Sequence, residues 1–185
     1  MPSFTDLTLR TARLRLRPLT PADAPALLAL CSDPVVMRHG SSAPWSETRQ
    51  ALDSIERDRR CLADGSAVRL AITRPDDDLL LGTCSLFALD AQCRRAEVGY
   101  QLARQSWGQG YAHEAVSALI AWGLDALDLN RIEADVDPRN AASVRALERL
   151  GFVREGHLRE RWIVAGEVCD SLLFGLLAAD WRARG

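Results

Sequence analysis

The sequence predicts a mixed α+β fold, and three observations carry that prediction. Residues 96–102 and 131–137 alternate apolar with polar side chains, as strands with one buried face do. Between them, residues 111–128 carry Val116, Leu119, Ile120 and Leu127 at helical spacing, so strand, helix and strand make a crossover with parallel strands. Two further pairs of strand-like runs, 67–73 with 79–89 and 152–163 with 168–177, are joined by short polar turns and read as hairpins.

The chain has 185 residues, enough for one domain with a full core, and it reads as a single domain over 1–185 with its ordered part at about 8–180. Apolar residues make up 48% and charged residues 26%, the balance of an ordinary soluble globular protein. A net charge of −2 argues against general electrostatic attraction to nucleic acid and leans toward a cationic substrate or basic partner. Cys31, Cys61, Cys84, Cys93 and Cys169 form no close pair and have no metal-ligand spacing, so they read as reduced thiols filling a core in a cytoplasm. His39, His113 and His157 are scattered, and no metal is expected. No apolar run is long enough for a bilayer, and the first ten residues lack a basic-then-apolar signal pattern.

In chain order, residues 12–17 alternate Leu14 and Leu16 with Arg13, Arg15 and Arg17, a strand at or near a sheet edge. Thr20, Pro21 and Asp23 supply a cap, a first-position proline and a first-turn acid for a helix that Asp33-Pro34 stops. Residues 35–45 read as an irregular loop carrying Met37, Arg38, His39 and Trp45, either a substrate-contacting loop or a solvated connection. Ser46 caps a second helix, 47–63, with Leu52, Ile55 and Leu62 inward. Asp76, Asp77 and Asp78 form the polar tip of the first hairpin. In the strand 96–102, Ala96, Val98, Tyr100 and Leu102 share one face, while Glu97, Gly99 and Gln101 share the other. Asn140 caps a short helix, 141–150, that Gly151 ends.

The stretch Gln105-Ser106-Trp107-Gly108-Gln109-Gly110-Tyr111-Ala112 joins strand to helix. Its two glycines remove side chains where the backbone bends, and the first N–H groups of the following helix lack partners and carry partial positive charge. Such a turn suits a phosphate or diphosphate, or it is a plain turn and helix start. It lacks the Lys-Ser/Thr of a nucleoside-triphosphate loop, and His113 stands where a dinucleotide fingerprint has its third glycine.

Four motifs in order, Glu97-Val98-Gly99-Tyr100, then Gln105-x-x-Gly108-x-Gly110-Tyr111-Ala112, then Asp137-Pro138-x-Asn140-x-x-Ser143, then Leu150-Gly151-Phe152, resemble the GNAT superfamily of acyl-CoA N-acyltransferases. More narrowly they resemble its RimJ/RimL-like branch, which acetylates N-terminal amines of ribosomal proteins. The resemblance implies a central, mostly antiparallel sheet of six or seven strands. It places a V-shaped splay between the fourth and fifth strands and helices on both faces. It implies acetyl-CoA as cosubstrate, with pantetheine in the V against the edge of Leu102 and Ala103, and diphosphate on the backbone of Gly108, Gln109, Gly110, Tyr111 and Ala112 behind Gln105. The resemblance further implies an amine acceptor, on a small molecule or at a protein N-terminus, and a monomer or homodimer, with no nucleic-acid or membrane partner expected.

Acyl transfer to an amine needs a proton acceptor, an oxyanion site and a leaving thiolate. Glu97 is the candidate base, acting through water, or else a surface or ion-paired glutamate. A main-chain N–H at or near Leu102 is the candidate oxyanion donor. Many relatives in the superfamily protonate the sulfur with a Tyr that follows the Asn motif. This chain has none there, and Ser143 matches the RimL-like pattern as a hydrogen-bond donor to sulfur. Asn140 bonds pantetheine, caps its helix, or does both. Two rivals stay open: a Rossmann-type dinucleotide enzyme with Asp137 at the ribose, and a non-catalytic acetyl-CoA-binding module that needs neither Glu97 nor Ser143.

Overall fold

A computed structural model describes residues 3–184. The strands are β1 (Leu9–Arg10), β2 (Arg15–Pro18), β3 (Val68–Thr73), β4 (Leu80–Asp90), β5 (Arg95–Leu102), β6 (Arg131–Val136), β7 (Val153–Val164) and β8 (Glu167–Leu177). The helices are α1 (Ala24–Ser32), α2 (Pro34–Met37), α3 (Thr48–Asp64), α4 (Tyr111–Ala126), α5 (Ala141–Leu150) and α6 (Ala178–Arg182). The strands form one sheet in the order β1-β2-β3-β4-β5-β6-β8-β7, and among the described residues β5 and β6 are its parallel pair. The sheet therefore has eight strands where the resemblance implied six or seven. The added one, β1, is two residues long and too short to show alternation in sequence.

The core lies on both faces of this sheet. On one, α4 and α5 cover Leu70, Ile72, Leu86, Val98 and Ile132 with Val116, Leu119, Ile120 and Leu147. On the other, α1 and α3 pack Leu27, Leu30 and Ile55 against Ala71 and Leu80. The alternation read in β6 holds, with Ile132, Ala134 and Val136 buried.

Several local expectations are corrected. The second helix starts at Thr48 with Glu47 as its cap, and Ser46 lies outside it: the Gln50 side chain accepts from the Ser46 and Glu47 N–H groups. Its inward face is Ala51, Ser54, Ile55, Asp58 and Leu62, a spacing of three, one, three and four residues, whereas Leu52 is 40% exposed. A polar face is buried here because Arg69 of β3 reaches Asp58 at 3.3 Å and Ser54 at 3.1 Å. The stretch 35–45 is not wholly irregular, since Asp33 accepts from the Val35 N–H at 2.8 Å and starts the single turn α2. The tip at Asp76–Asp78 is also more than solvated, because Arg17 bonds both Asp78 at 2.9 Å and the buried Asp23 at 2.8 Å.

Candidate active site

The site begins where β5 and β6 separate. Their register runs Arg95 to Arg131, Ala96 to Ile132 and Glu97 to Glu133, and stops there. Beyond Glu97 the two strands diverge, and the gap becomes a cleft lined by Val98, Gly99, Tyr100, Ala134, Asp135 and Asp137, with Asn140 at the start of α5, Ser143 and Leu147 within it, and His39 from the loop after α2. This is the V-shaped splay expected between those two strands.

At the β5 end of the cleft, the Ala103 N–H bonds Leu81 O at 2.8 Å on the β4 side, and the Trp107 indole N–H donates to Leu102 O at 2.8 Å. Along an extended strand a residue's N–H and C=O share an edge, so the Leu102 N–H lies on the edge that Trp107 caps. The expected pantetheine contact is thereby narrowed. The Ala103 N–H and the Leu102 carbonyl already have partners, and the Leu102 N–H is the group of that pair suited to hold a developing oxyanion.

A single turn, 104–106, then leads to the glycines. Gly108 and Gly110 have φ of +73° and +78°, a left-handed conformation that a side chain resists. A Cβ built on Gly108 would meet nothing within 4 Å, so the backbone there is bare and open. The Glu114 N–H makes the first helical bond, to Gly110 O, which leaves the N–H groups of Tyr111, Ala112 and His113 without helical partners. Gln109 bonds back to Gln105 O at 2.9 Å, so Gln105 braces the loop through its carbonyl. Open backbone, unpartnered N–H groups and a helix N-terminus are the donor set that a diphosphate fits.

Across the cleft Asn140 caps α5, its Oδ1 accepting from the Ser143 N–H at 3.1 Å. The Ser143 hydroxyl lies 2.9 Å from the phenol oxygen of Tyr100, whose burial pushes its pKa up. Glu97 stands at the apex of the V, on the opposite face of β5 from Tyr100, and does not line the cleft's α5 side. Burial pushes its carboxyl up, and repulsion from Glu133 and Asp135 adds to this against the pull of Arg95 and Arg161. Glu133 is ion-paired to Arg95 at 3.0 Å and to Arg131 at 2.7 Å, and Asp135 accepts from the Trp162 indole at 3.1 Å. Among the described carboxylates of this mouth, Glu97 is the one with neither an ion pair nor a hydrogen bond.

Four side chains take part here that residue type alone does not assign. Tyr100 belongs to the core face of β5, as the alternation predicts, but that face opens into the cleft. His39 Nδ1 sits 3.4 Å from Asp137, whose carboxyl is held down to about 2 by the Arg139 guanidinium. Trp107 fixes the strand end, and Arg13 reaches the glycine loop. In the sequence, the stretch 35–45 signals His39 and the glycine motif contains Trp107, whereas nothing local marks Arg13.

Residues 13–153 match the acetyltransferase (GNAT) domain family. The chain belongs to the GNAT acetyltransferases. It is 39% identical over 174 residues to p20, an uncharacterized N-acetyltransferase of Bacillus licheniformis, covering 94% of this chain and 98% of that protein. It is 28% identical over 118 residues to the ribosomal protein uS5-alanine N-acetyltransferase of Escherichia coli, 63% of this chain and 61% of that one. The crystal structure of spermidine N-acetyltransferase from Vibrio cholerae in complex with CoA and spermine superposes with a TM-score of 0.81 over 93% of this chain and 99% of that one. At 23% identity that likeness speaks for the fold. The chain is thus an N-acetyltransferase with relatives of the RimJ/RimL-like kind. Among the described residues no helix is long and apolar enough to cross a membrane.

Proposed function

We propose that this GNAT acetyltransferase moves the acetyl group of acetyl-CoA directly to a primary amine, foremost the N-terminal α-amine of a ribosomal or other protein. The observation that carries the donor is the parting of β5 and β6 after three rungs, beside a bare glycine turn at a helix N-terminus. Pantetheine amides pair with an open strand edge as another strand would, and diphosphate needs N–H donors. Leu102, Gln105, Gly108, Gln109, Gly110, Tyr111, Ala112 and Asn140 are the proposed donor-binding residues; Ala103, expected to join them, has both its N–H and its C=O already bonded, to Leu81 O and from the Ser106 N–H.

Glu97 takes the ammonium proton through a water molecule, and the burial that raises its pKa makes it a stronger base than a solvated glutamate. The freed amine nitrogen attacks the thioester carbon. The Leu102 N–H holds the oxyanion, the C–S bond breaks, and the Ser143 hydroxyl hydrogen-bonds the departing sulfur; the attacking nitrogen gives up its second proton to solvent, which protonates the thiolate. The acidic mouth of Glu97, Glu133 and Asp135 suits a cationic acceptor. The uS5-alanine relative favours a protein N-terminus, and a polyamine or other small amine is the second reading, which the same acidic mouth admits. An acetyl-CoA consumption screen across N-terminal peptides, polyamines and aminoglycosides tests both. Turnover with any class rejects the non-catalytic module, while tight CoA binding without turnover across the whole panel rejects the enzyme reading.

A further inference from the structure

Arg13 lies just before β2, far in sequence from the glycine turn, yet its side chain is built into that turn. Its Nη1 donates to the Gln109 carbonyl at 3.0 Å, and its guanidinium sits 4.8 Å from the centre of the Tyr111 ring. A Cβ built on Gly110 would stand 3.4 Å from its Nη2. Its Nε and Nη2 reach Glu114, in the first turn of α4, at 2.7 Å and 2.6 Å. Glu114 is itself fixed from the same segment by the Thr11 hydroxyl at 2.6 Å and the Arg13 N–H at 2.9 Å. Burial alone would push the Glu114 carboxyl up, but the bonds from Thr11 and Arg13 hold it below its usual range. The arginine's charge is thus already matched, and its geometry is locked on three sides.

The peptide joining Gln109 to Gly110 is planar, with its C=O and N–H pointing opposite ways. Gly110 has no side chain to restrict it, so an external hold on this peptide has large effect. With the Gln109 carbonyl held toward Arg13, the Gly110 N–H is turned to the other side. We propose that Arg13, braced by Thr11 and Glu114, is a positioning residue that pre-sets the glycine turn for the donor's diphosphate. It acts through the loop's backbone and not by its charge. This rests on the reading that the turn receives that diphosphate.

The test compares acetyl-CoA with acetyl-pantetheine, which has the same reacting end and no diphosphate, using the full chain. The wild type should prefer acetyl-CoA by at least about tenfold in KM, the size of a lost charge-assisted hydrogen bond or two. Arg13→Ala should raise KM for acetyl-CoA about tenfold, with kcat and the KM for acetyl-pantetheine changed less than about twofold. Arg13→Lys should behave like the alanine variant, since an ammonium cannot bridge Glu114 and a carbonyl in one plane. Glu114→Gln decides the sign and keeps the test alive if Arg13→Ala fails to fold. If Arg13 positions the loop, loosening it raises KM for acetyl-CoA. If Arg13 acts by charge, freeing that charge lowers KM. A lowered KM in Glu114→Gln, or unaltered affinity in Arg13→Lys, overturns the proposal. A wild type with no preference for acetyl-CoA over acetyl-pantetheine instead overturns the reading of the turn on which it rests.

Discussion

Tyr100 and Ser143 meet hydroxyl to hydroxyl at 2.9 Å inside the cleft, one from the sheet and one from the first turn of α5. Either oxygen can donate, so when the phenol donates, the serine proton is free to turn toward a sulfur. Removing the serine hydroxyl should cost about 1.4 kcal/mol of transition-state stabilisation, or about tenfold in kcat. Ser143→Ala is therefore expected to lower kcat about tenfold with little change in KM for acetyl-CoA. Tyr100→Phe, which leaves the serine but frees its orientation, should fall in between. Steady-state thiol release measures both, and wild-type kcat in Ser143→Ala would remove it from the chemistry.

Glu97 should set the acid limb of the rate profile. A base works only above its pKa, and burial with two neighbouring carboxylates moves this one upward. Wild-type kcat/KM is expected to fall as pH drops through that raised value. Glu97→Gln should lower kcat/KM about 100-fold and abolish the limb. A Glu97→Gln profile that keeps both the rate and the limb assigns the proton to another acceptor.

Gly108 is a test of the bare turn. At φ +73° a side chain costs about 1–2 kcal/mol in backbone strain, and its Cβ would project into space that is open in this structure. Gly108→Val should raise KM for acetyl-CoA well beyond any loss of thermal stability. Calorimetry of CoA binding beside a melting curve separates the two, and a variant that binds as tightly as the wild type would place the diphosphate elsewhere.

Arg17 should matter to the fold and not to catalysis. It links the buried Asp23, at the entry to α1, with Asp78 of the β3–β4 turn. Burial would raise the Asp23 carboxyl, yet the bonds from Arg17 and Thr20 hold it below the usual range. A carboxylate titrating lower when folded adds stability that is present above its unfolded value of about 3.9 and lost as pH falls through the folded value. Arg17→Ala strands Asp23 and is expected to cost about 3 kcal/mol at neutral pH, with a smaller penalty in acid. Urea unfolding at pH 7 and pH 3 checks it; equal penalties at both would rule out the ionic account.

The parts of this molecule that were legible in the chain are those written in local periodicity. The alternation of β5 and β6, the cap at Asn140 and the glycines of the turn all depend on neighbours within a few residues. The inward face of α3 differs from the one its large apolar residues predict, because Asp58 and Ser54 are buried there, held by the distant Arg69 with help from Arg57 of the same helix. Likewise β5 was split correctly into two faces, but nothing local tells that Tyr100 looks into a gap. The pairs Tyr100–Ser143, His39–Asp137 and Arg13–Glu114 exist only once the sheet is assembled, so residue type could name their members and not their meetings.

The early end of pairing between β5 and β6 has a further consequence. Strand edges that would ordinarily satisfy one another are left in the middle of the protein to be satisfied by solvent or by a guest. A guest that lies along them finishes the sheet, so the folded state gains whatever free energy the guest brings. At a hundredfold excess over its Kd that gain is about 2.7 kcal/mol. If pantetheine is that guest, heat resistance should rise with acetyl-CoA and with free CoA alike, since both carry the strand-like arm.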